Sequence, residues 1–258
     1  MHRVFIILQK EWIEIRQQWT LLFSIVLPPI FLTVLPLFVL AQFKGTNLQT
    51  HGSVPLNYPS MQGMTLNEAL QAQIGMQLSI MYVLLPGIIT SVIASYSIIG
   101  EKTSQTLEPV LATPIRTWEL LLGKCLAALI PGVGVTWLSG LIFLLILPFL
   151  VDQRVFNAIV SPGWLVLFLL WSPLLALIAI AVMLAVSSRV NDARSAQQVS
   201  AWLIVPFLAV FFGQLAGVQV LGPAFTLIVA LILAVLAILV LWVTVRIFQR
   251  ETILTRWK

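Results

Sequence analysis

The sequence predicts an all-α, polytopic membrane protein with six transmembrane helices, an N-terminal interfacial amphipathic helix and a short cytoplasmic helix between spans two and three. Three observations carry the membrane assignment. Apolar residues make up 60% of the chain and charged residues 9%, where a soluble domain carries about a quarter of its residues charged. The Lys, Arg, Asp and Glu residues fall at the ends of, or between, six long apolar stretches, 20–42, 76–99, 125–151, 164–187, 201–220 and 223–245. Each stretch reaches the roughly 20 residues that a helix needs to cross about 30 Å of hydrocarbon. The stretches are apolar all round, whereas the strands of an outer-membrane barrel alternate over about 10 residues. The whole chain, 1–258, reads as one membrane domain.

The first element, 1–19, places Val4, Leu8, Trp12, Ile15 and Trp19 at spacings of three and four, with Arg3, Lys10, Glu14 and Gln17 opposite. That pattern predicts an amphipathic helix lying on the inner leaflet. It serves either as an anchor for the first span or as a surface for a cytoplasmic partner, because Ile6 and Ile13 point away from the stripe. The apolar run Val4 to Leu8 is too short for the core of a cleaved signal, so the amino terminus is expected to stay.

After the first span come about 30 residues, Phe43 to Gly75, with only Lys44 and Glu68 charged. Near the end of this stretch Thr65, Leu66, Asn67 and Glu68 form a capping-box pattern, which predicts a helix running into span two. Span two is the most polar, with Tyr82, Thr90, Ser91 and Ser95 among its hydroxyls and Pro86-Gly87 in its middle. These four are candidate cavity-lining residues, weighed against hydroxyls that bond their own helix backbone. Span five spaces Ala209, Gly213 and Gly217 four apart, a small-residue ridge that allows close helix approach. It fits a dimer interface or packing within one chain. Pro28, Pro29, Pro36, Pro131, Pro173 and Pro206 are expected to act as static kinks rather than hinges.

Twelve basic residues share one side: Arg3, Lys10, Arg16, Lys102, Arg116, Lys124, Arg189, Arg194, Arg246, Arg250, Arg256 and Lys258; Lys44 and Arg154 lie on the other. Basic residues collect on the cytoplasmic side, so both termini are expected in the cytoplasm of an inner-membrane protein. The basic balance follows from that topology and from attraction of the tail, Arg246 to Lys258, to anionic lipid. No basic, aromatic-interleaved soluble domain exists to bind nucleic acid. The single Cys125 excludes an internal disulfide and a cysteine metal cluster.

The segment 100–118 between spans two and three is the most distinctive. Glu101 and Lys102 stop the span, Thr103 to Ala112 can form a short helix, Pro114 ends it, and Thr117 can cap the next helix. This alternation reads as a rigid polar projection suited to docking, with a plain connecting loop as the alternative. In order along it stand Glu101, then Thr106, Leu107 and Glu108, then Thr113 and Pro114, then Leu121, Leu122, Gly123 and Lys124. This succession resembles the loop between spans two and three of the ABC type-2 family of exporter permeases. A second patch, with Ser187, Ser188, Arg189, Ala196, Gln197, Gln198 and Pro206, resembles the same family's loop between spans four and five. The likeness covers essentially the whole chain. It departs at Gly213 to Pro223, where little room remains for the re-entrant outer helices that many members insert.

The resemblance implies a half-transporter that pairs with a second permease chain. A separate ABC ATPase, holding ATP and Mg, would dock on the coupling segment through Glu101, Thr106, Leu107, Glu108, Thr113, Pro114 and Arg116. It further implies export of a hydrophobic or amphipathic compound such as a drug, an antibiotic or a lipid. The residues independently point to a missing motor: Gly123-Lys124 is followed by Cys125, and Trp118 stands where a Walker A motif needs its first Gly. An ion-coupled secondary carrier is the main alternative, weakened by the lack of ionisable residues deep in any span. A membrane-embedded enzyme is disfavoured because His2 and His51 both sit outside the spans. The chain is therefore read as a transport subunit without catalytic or metal-binding residues of its own.

Overall fold

The structure is a computed structural model that describes residues 2–43, 63–103, 117–187, 198, 205–215 and 222–247. Among these residues all regular structure is helical: α1 (His2–Gln17), α2 (Trp19–Gln42), α3 (Leu66–Ile80), α4 (Leu84–Thr103), α5 (Thr117–Leu150), α6 (Gln153–Ile159), α7 (Pro162–Val166), α8 (Ser172–Ser187), α9 (Val205–Leu215) and α10 (Pro223–Ile247). Five stretches are long and apolar enough to cross a membrane: Trp19–Gln42, Leu66–Ser97, Trp118–Leu150, Pro162–Val186 and Pro223–Arg246. Of the stretch expected at 201–220, the described part is α9 together with nothing on either flank.

The second span begins ten residues earlier than its apolar run. Its start is fixed by a capping box: the Thr65 backbone N–H donates to Glu68 Oε2 at 2.7 Å, and the Glu68 N–H donates to Thr65 Oγ1 at 3.3 Å. From Leu66 to Thr103 the helical rod extends about 57 Å at 1.5 Å per residue, much more than a bilayer core. Its first turns, rich in Asn and Gln, project beyond the hydrocarbon and pack on α6. There Gly75 faces Ile159 so closely that a Cβ would overlap the Ile159 side chain.

Two prolines account for the irregular turns. A 3₁₀ turn, Met81–Val83, joins α3 to α4. Pro86, which follows shortly after, has no N–H to offer the Tyr82 carbonyl, so the chain tightens there. A π turn, Leu167–Trp171, joins α7 to α8. Pro173 crowds the carbonyl of Leu169 inside that turn in the same way. The Ser172 hydroxyl donates to Phe168 O at 2.7 Å and accepts from Trp137 Nε1 at 2.9 Å, which ties the π turn to α5.

The bundle is built around the α3–α4 rod and α8, whose spans are mostly buried, while α2 and α10 present most of their side chains outward. The core runs through Ile80, Tyr82, Leu85, Ile89, Ile93, Phe143, Leu147, Trp164, Phe168, Trp171, Ile178 and Met183. Its aromatic layer lies where the two irregular turns meet. Phe168 stacks on Trp164 with ring centroids 5.0 Å apart and planes 6° from parallel, and Tyr82 stands edge-on to Phe168 at 6.3 Å. Polar ties fix α10 to α8: Trp171 Nε1 donates to Thr226 O at 2.9 Å, and the Thr244 hydroxyl donates to Ala181 O at 3.0 Å.

The α1 helix follows its predicted stripe only in part: Val4, Leu8 and Ile15 face the bundle, while its tryptophans do not. Its buried face consists of Val4, Ile7, Leu8 and Glu11, at spacings of three and four, while Trp12 and Trp19 are exposed. A short break at Gln18, whose backbone is extended, separates α1 from α2 and leaves Trp19 on the latter. The physical reason is that α1 packs on α5, so the face that matches a protein neighbour decides its rotation, not the face with the largest rings.

Candidate functional site

The residues that bracket the 104–116 segment come together at the α1 end of the bundle. Lys124, two turns into α5, and Glu11, on the buried face of α1, form an ion pair with Nζ and Oε1 2.9 Å apart. Both side chains are almost fully buried, at 5% and 3% exposure. Lys124 Nζ also donates to Ser97 Oγ at 2.8 Å and to Ser97 O at 3.2 Å, on the last turns of α4. Among the described residues this ammonium thus reaches acceptors on two other helices, Glu11 on α1 and Ser97 on α4. Lys10 lies 3.7 Å from Glu11 and 3.2 Å from Glu14 at the half-exposed rim.

Gly123, the neighbour of Lys124, makes the approach possible. A Cβ there would lie 2.8 Å from Ile7 Cγ2 and 3.4 Å from Val4 O. The run Leu121-Leu122-Gly123-Lys124 thus has a physical account on α5: Leu121 is buried in the bundle, Leu122 faces outward, Gly123 admits α1, and Lys124 holds it. Removing one partner of such a pair leaves an uncompensated buried charge, at about 3 to 5 kcal/mol. Neither Glu11 nor Ser97 was among the expected site residues. The available signal was Glu11 at the seven-residue repeat of Val4, an acid on an apolar face, together with a lysine, Lys124, immediately before the third apolar stretch.

Of the expected coupling residues, Glu101 lies in the last turn of α4, while Thr106, Leu107, Glu108, Thr113, Pro114 and Arg116 lie outside the described residues. The two helices that border the segment, α4 ending at Thr103 and α5 starting at Thr117, are both held by the Lys124 cluster within two turns of those ends.

The four candidate cavity-lining residues of span two, Tyr82, Thr90, Ser91 and Ser95, are buried inside this chain. Thr90 Oγ1 donates to Pro86 O at 2.5 Å, Ser91 Oγ to Ile88 O at 2.9 Å and Ser95 Oγ to Val92 O at 2.8 Å, each within its own helix. Thr90 also packs against Gly132 of α5, where a Cβ would overlap its methyl group. Tyr82 donates its hydroxyl to Thr33 Oγ1 at 3.1 Å, joining α2 to the rod, and Thr33 donates onward to Pro29 O at 2.7 Å. On α9, no atom of the described residues outside its own stretch of helix lies within 4 Å of a Cβ built at Gly213. Ala209 belongs to the same helix, and Gly217 lies outside the described residues. The α9 helix meets α3 through Gln77, whose Nε2 donates to Phe211 O at 2.9 Å.

A family model described as ABC-2 family transporter protein matches residues 5–246. No curated protein matches the chain.

Proposed function

Because the chain belongs to the ABC-2 transporter family, a family of membrane components of ABC transporters, we propose that it is the permease half of an exporter for a hydrophobic or amphipathic compound. In this reading two such chains, identical or paired, enclose the path. A separate ATPase subunit holds ATP and Mg, and it docks on the cytoplasmic segment 104–116. Both termini then lie on the cytoplasmic side of the inner membrane, as the distribution of Lys and Arg favours. Direction, substrate class and pairing rest on the family and on the uncharged spans.

The observation that carries this reading is the match over nearly the full length, 5–246, by a chain with no Walker A motif of its own. The roots of the 104–116 segment support it. Force delivered to a loop is transmitted only if the helices at its ends are stiffly held, and α4 and α5 are joined there by the Lys124–Ser97 bonds. For span two, Tyr82, Thr90, Ser91 and Ser95 contribute to the path only if the bundle opens, since each is covered within one chain.

The test starts from the neighbouring reading frame, where an ATPase bearing a Walker A motif is expected; the chain is co-expressed with that ATPase and purified through a tag on the permease. Glu108→Arg, or deletion of 103–114, is expected to abolish recovery of the ATPase while the permease still inserts. Stimulation of ATP hydrolysis in the reconstituted wild-type complex, across a panel of lipids, drugs and ions, then identifies the substrate class. Undiminished assembly and hydrolysis in both variants would remove the docking assignment. Uphill transport by the permease alone, driven by pH or sodium, would remove the ATP-driven reading.

A further inference from the structure

We propose that the outward face of α10 carries a binding site for one anionic phospholipid, whose headgroup phosphate is held by Arg246 stacked on Trp242. The site does not depend on the ATP-driven reading above. Thr226, Ala230, Ala237 and Thr244 are buried along one side of α10, and the Thr244 hydroxyl donates to Ala181 O at 3.0 Å, so the rotation of the helix against the bundle is fixed. At about 100° per residue, Trp242 and Arg246 lie roughly opposite Thr244 and one turn from each other. There the Arg246 guanidinium carbon sits over the Trp242 ring, 3.7 Å from its centroid.

Three features fit this pair to a lipid phosphate. First, the cation is organised but not engaged by any acid. Among the described residues neither the Arg246 side chain nor the Trp242 indole N–H meets a carboxylate or a hydrogen-bond acceptor, whereas Lys10 and Lys124 are both paired with carboxylates. A guanidinium presents its N–H donors as a rigid fork that matches two phosphate oxygens, and stacking on the ring reduces the freedom that it loses on binding. Second, an apolar track leads away from the charge. Val235, Ile238, Leu239 and Trp242 point outward along the helix. From Val235 to Arg246 the axis runs about 16 Å, close to the roughly 15 Å depth of hydrocarbon in one leaflet, so acyl chains can lie on the track while the headgroup meets Arg246. Third, charge disfavours a second copy of this chain on the same face. A two-fold axis along the membrane normal would set two Arg246 side chains face to face at one depth, where like charges repel; an anionic headgroup complements them.

The test must separate a defined site from diffuse attraction by a basic protein. The full chain, purified in detergent and stripped of lipid, is titrated with phosphatidylglycerol or phosphatidylcholine, and native mass spectrometry follows the first bound lipid. Phosphatidylglycerol is expected to bind wild type more tightly than phosphatidylcholine, whose choline competes for its own phosphate. Arg246→Gln is expected to weaken the first phosphatidylglycerol about tenfold, as loss of a charge-assisted hydrogen bond does, and to abolish the preference. Trp242→Leu keeps the charge and the apolar track but removes the stack, and is expected to weaken binding about threefold. Both residues are exposed, so the lipid-free variants are expected to melt as wild type does. Arg16→Gln, which removes an exposed cation from the last turn of α1, is expected to leave the first site unchanged.

Wild-type binding by Arg246→Gln or Trp242→Leu would overturn the proposal, and so would equal losses in Arg16→Gln and Arg246→Gln, the mark of attraction by net charge alone. Displacement of the lipid by inorganic phosphate at equal concentration would overturn it in favour of a free-anion site. A change of oligomeric mass in Trp242→Leu would overturn it in favour of a contact between chains.

Discussion

Replacing Gly140 by Ala tests whether the aromatic layer is as rigid as its geometry implies. Gly140 lies on α5 against Phe168, and a Cβ there would overlap Cζ and Cε2 of that ring and stand 3.1 Å from Cε1. The ring cannot swing aside, because it is stacked on Trp164 at 5.0 Å and abuts Tyr82 at 6.3 Å, in a layer where all three side chains are buried. Overpacking of a filled core costs about 1 to 3 kcal/mol. Loosening the aromatic stack adds about 0.5 to 1.5 kcal/mol, which brings the expected loss to about 1.5 to 4.5 kcal/mol. For a chain of this size each kcal/mol moves the melting temperature by about 2 to 4 °C, so Gly140→Ala is expected to melt roughly 3 to 18 °C below wild type. Cys125, the sole thiol and only partly exposed, supplies the assay: a thiol-reactive dye reports its exposure as the protein is heated in detergent. Gly134, on the same helix but with nothing within 4 Å of a built Cβ, is the control and is expected to tolerate Ala. Shortening Phe168 to Leu in the Gly140→Ala background should recover part of the loss. Wild-type melting of Gly140→Ala, or an equal loss in Gly134→Ala, would refute the reasoning.

Two further substitutions probe the polar ties. Thr33→Val is expected to destabilise more than Tyr82→Phe, by the same thermal assay, because it strands the buried Tyr82 hydroxyl at about 1 to 3 kcal/mol, whereas Tyr82→Phe leaves Thr33 donating to Pro29 O. The reverse order would show that the Thr33–Pro29 bond does not hold the threonine hydroxyl. Thr65→Ala removes the hydroxyl that accepts from the Glu68 N–H, leaving the Thr65 backbone N–H to Glu68 bond of the exposed capping box, and is expected to cost about 1 kcal/mol, confined to the first turn of α3. Hydrogen exchange should quicken at the Glu68 amide with no change in the core; a drop in global melting as large as that of Gly140→Ala would contradict a local role.

What was legible in the sequence is what the bilayer imposes directly. Long apolar runs must be helices because hydrocarbon offers backbone groups no partner, and five such helices stand where the runs lie. The Thr65-to-Glu68 cap was legible too, since it depends on four consecutive residues. Illegible features depend on contacts between distant segments. The face of α1 could not be read from its own periodicity, because Trp12 and Ile7 compete for the inside and Gly123, over a hundred residues away, decides in favour of Ile7. The apolar run of span two starts at 76 while its helix starts at Leu66, as the capping box predicts, because hydropathy marks where a helix meets lipid and not where it begins; Asn67, Gln71 and Gln73 carry the helix ahead of the apolar run. The hydroxyls of that span looked like a polar path, yet a helix in lipid also uses its own carbonyls as acceptors, and composition does not distinguish the two.

The ties on α4 also explain why a deformable-looking span is stiff. Pro86-Gly87 and a neighbouring 3₁₀ turn would weaken an isolated helix. Here the rod is pinned just before the proline by Tyr82, which bonds α2 and packs into the ring layer, and again fifteen residues on by Ser97, which bonds Lys124. Those points are about 22 Å apart along the axis. Between them Thr90 closes against Gly132 of α5 and its hydroxyl returns to the Pro86 carbonyl. A helix fixed at both ends and filled in the middle moves as a unit with its neighbour α5. A displacement applied at 104–116 therefore arrives at the aromatic layer as a shift of the α4–α5 pair rather than as a bend at the proline, and the π turn of Leu167–Trp171, which carries Phe168 in that layer, is the first element that such a shift would strain.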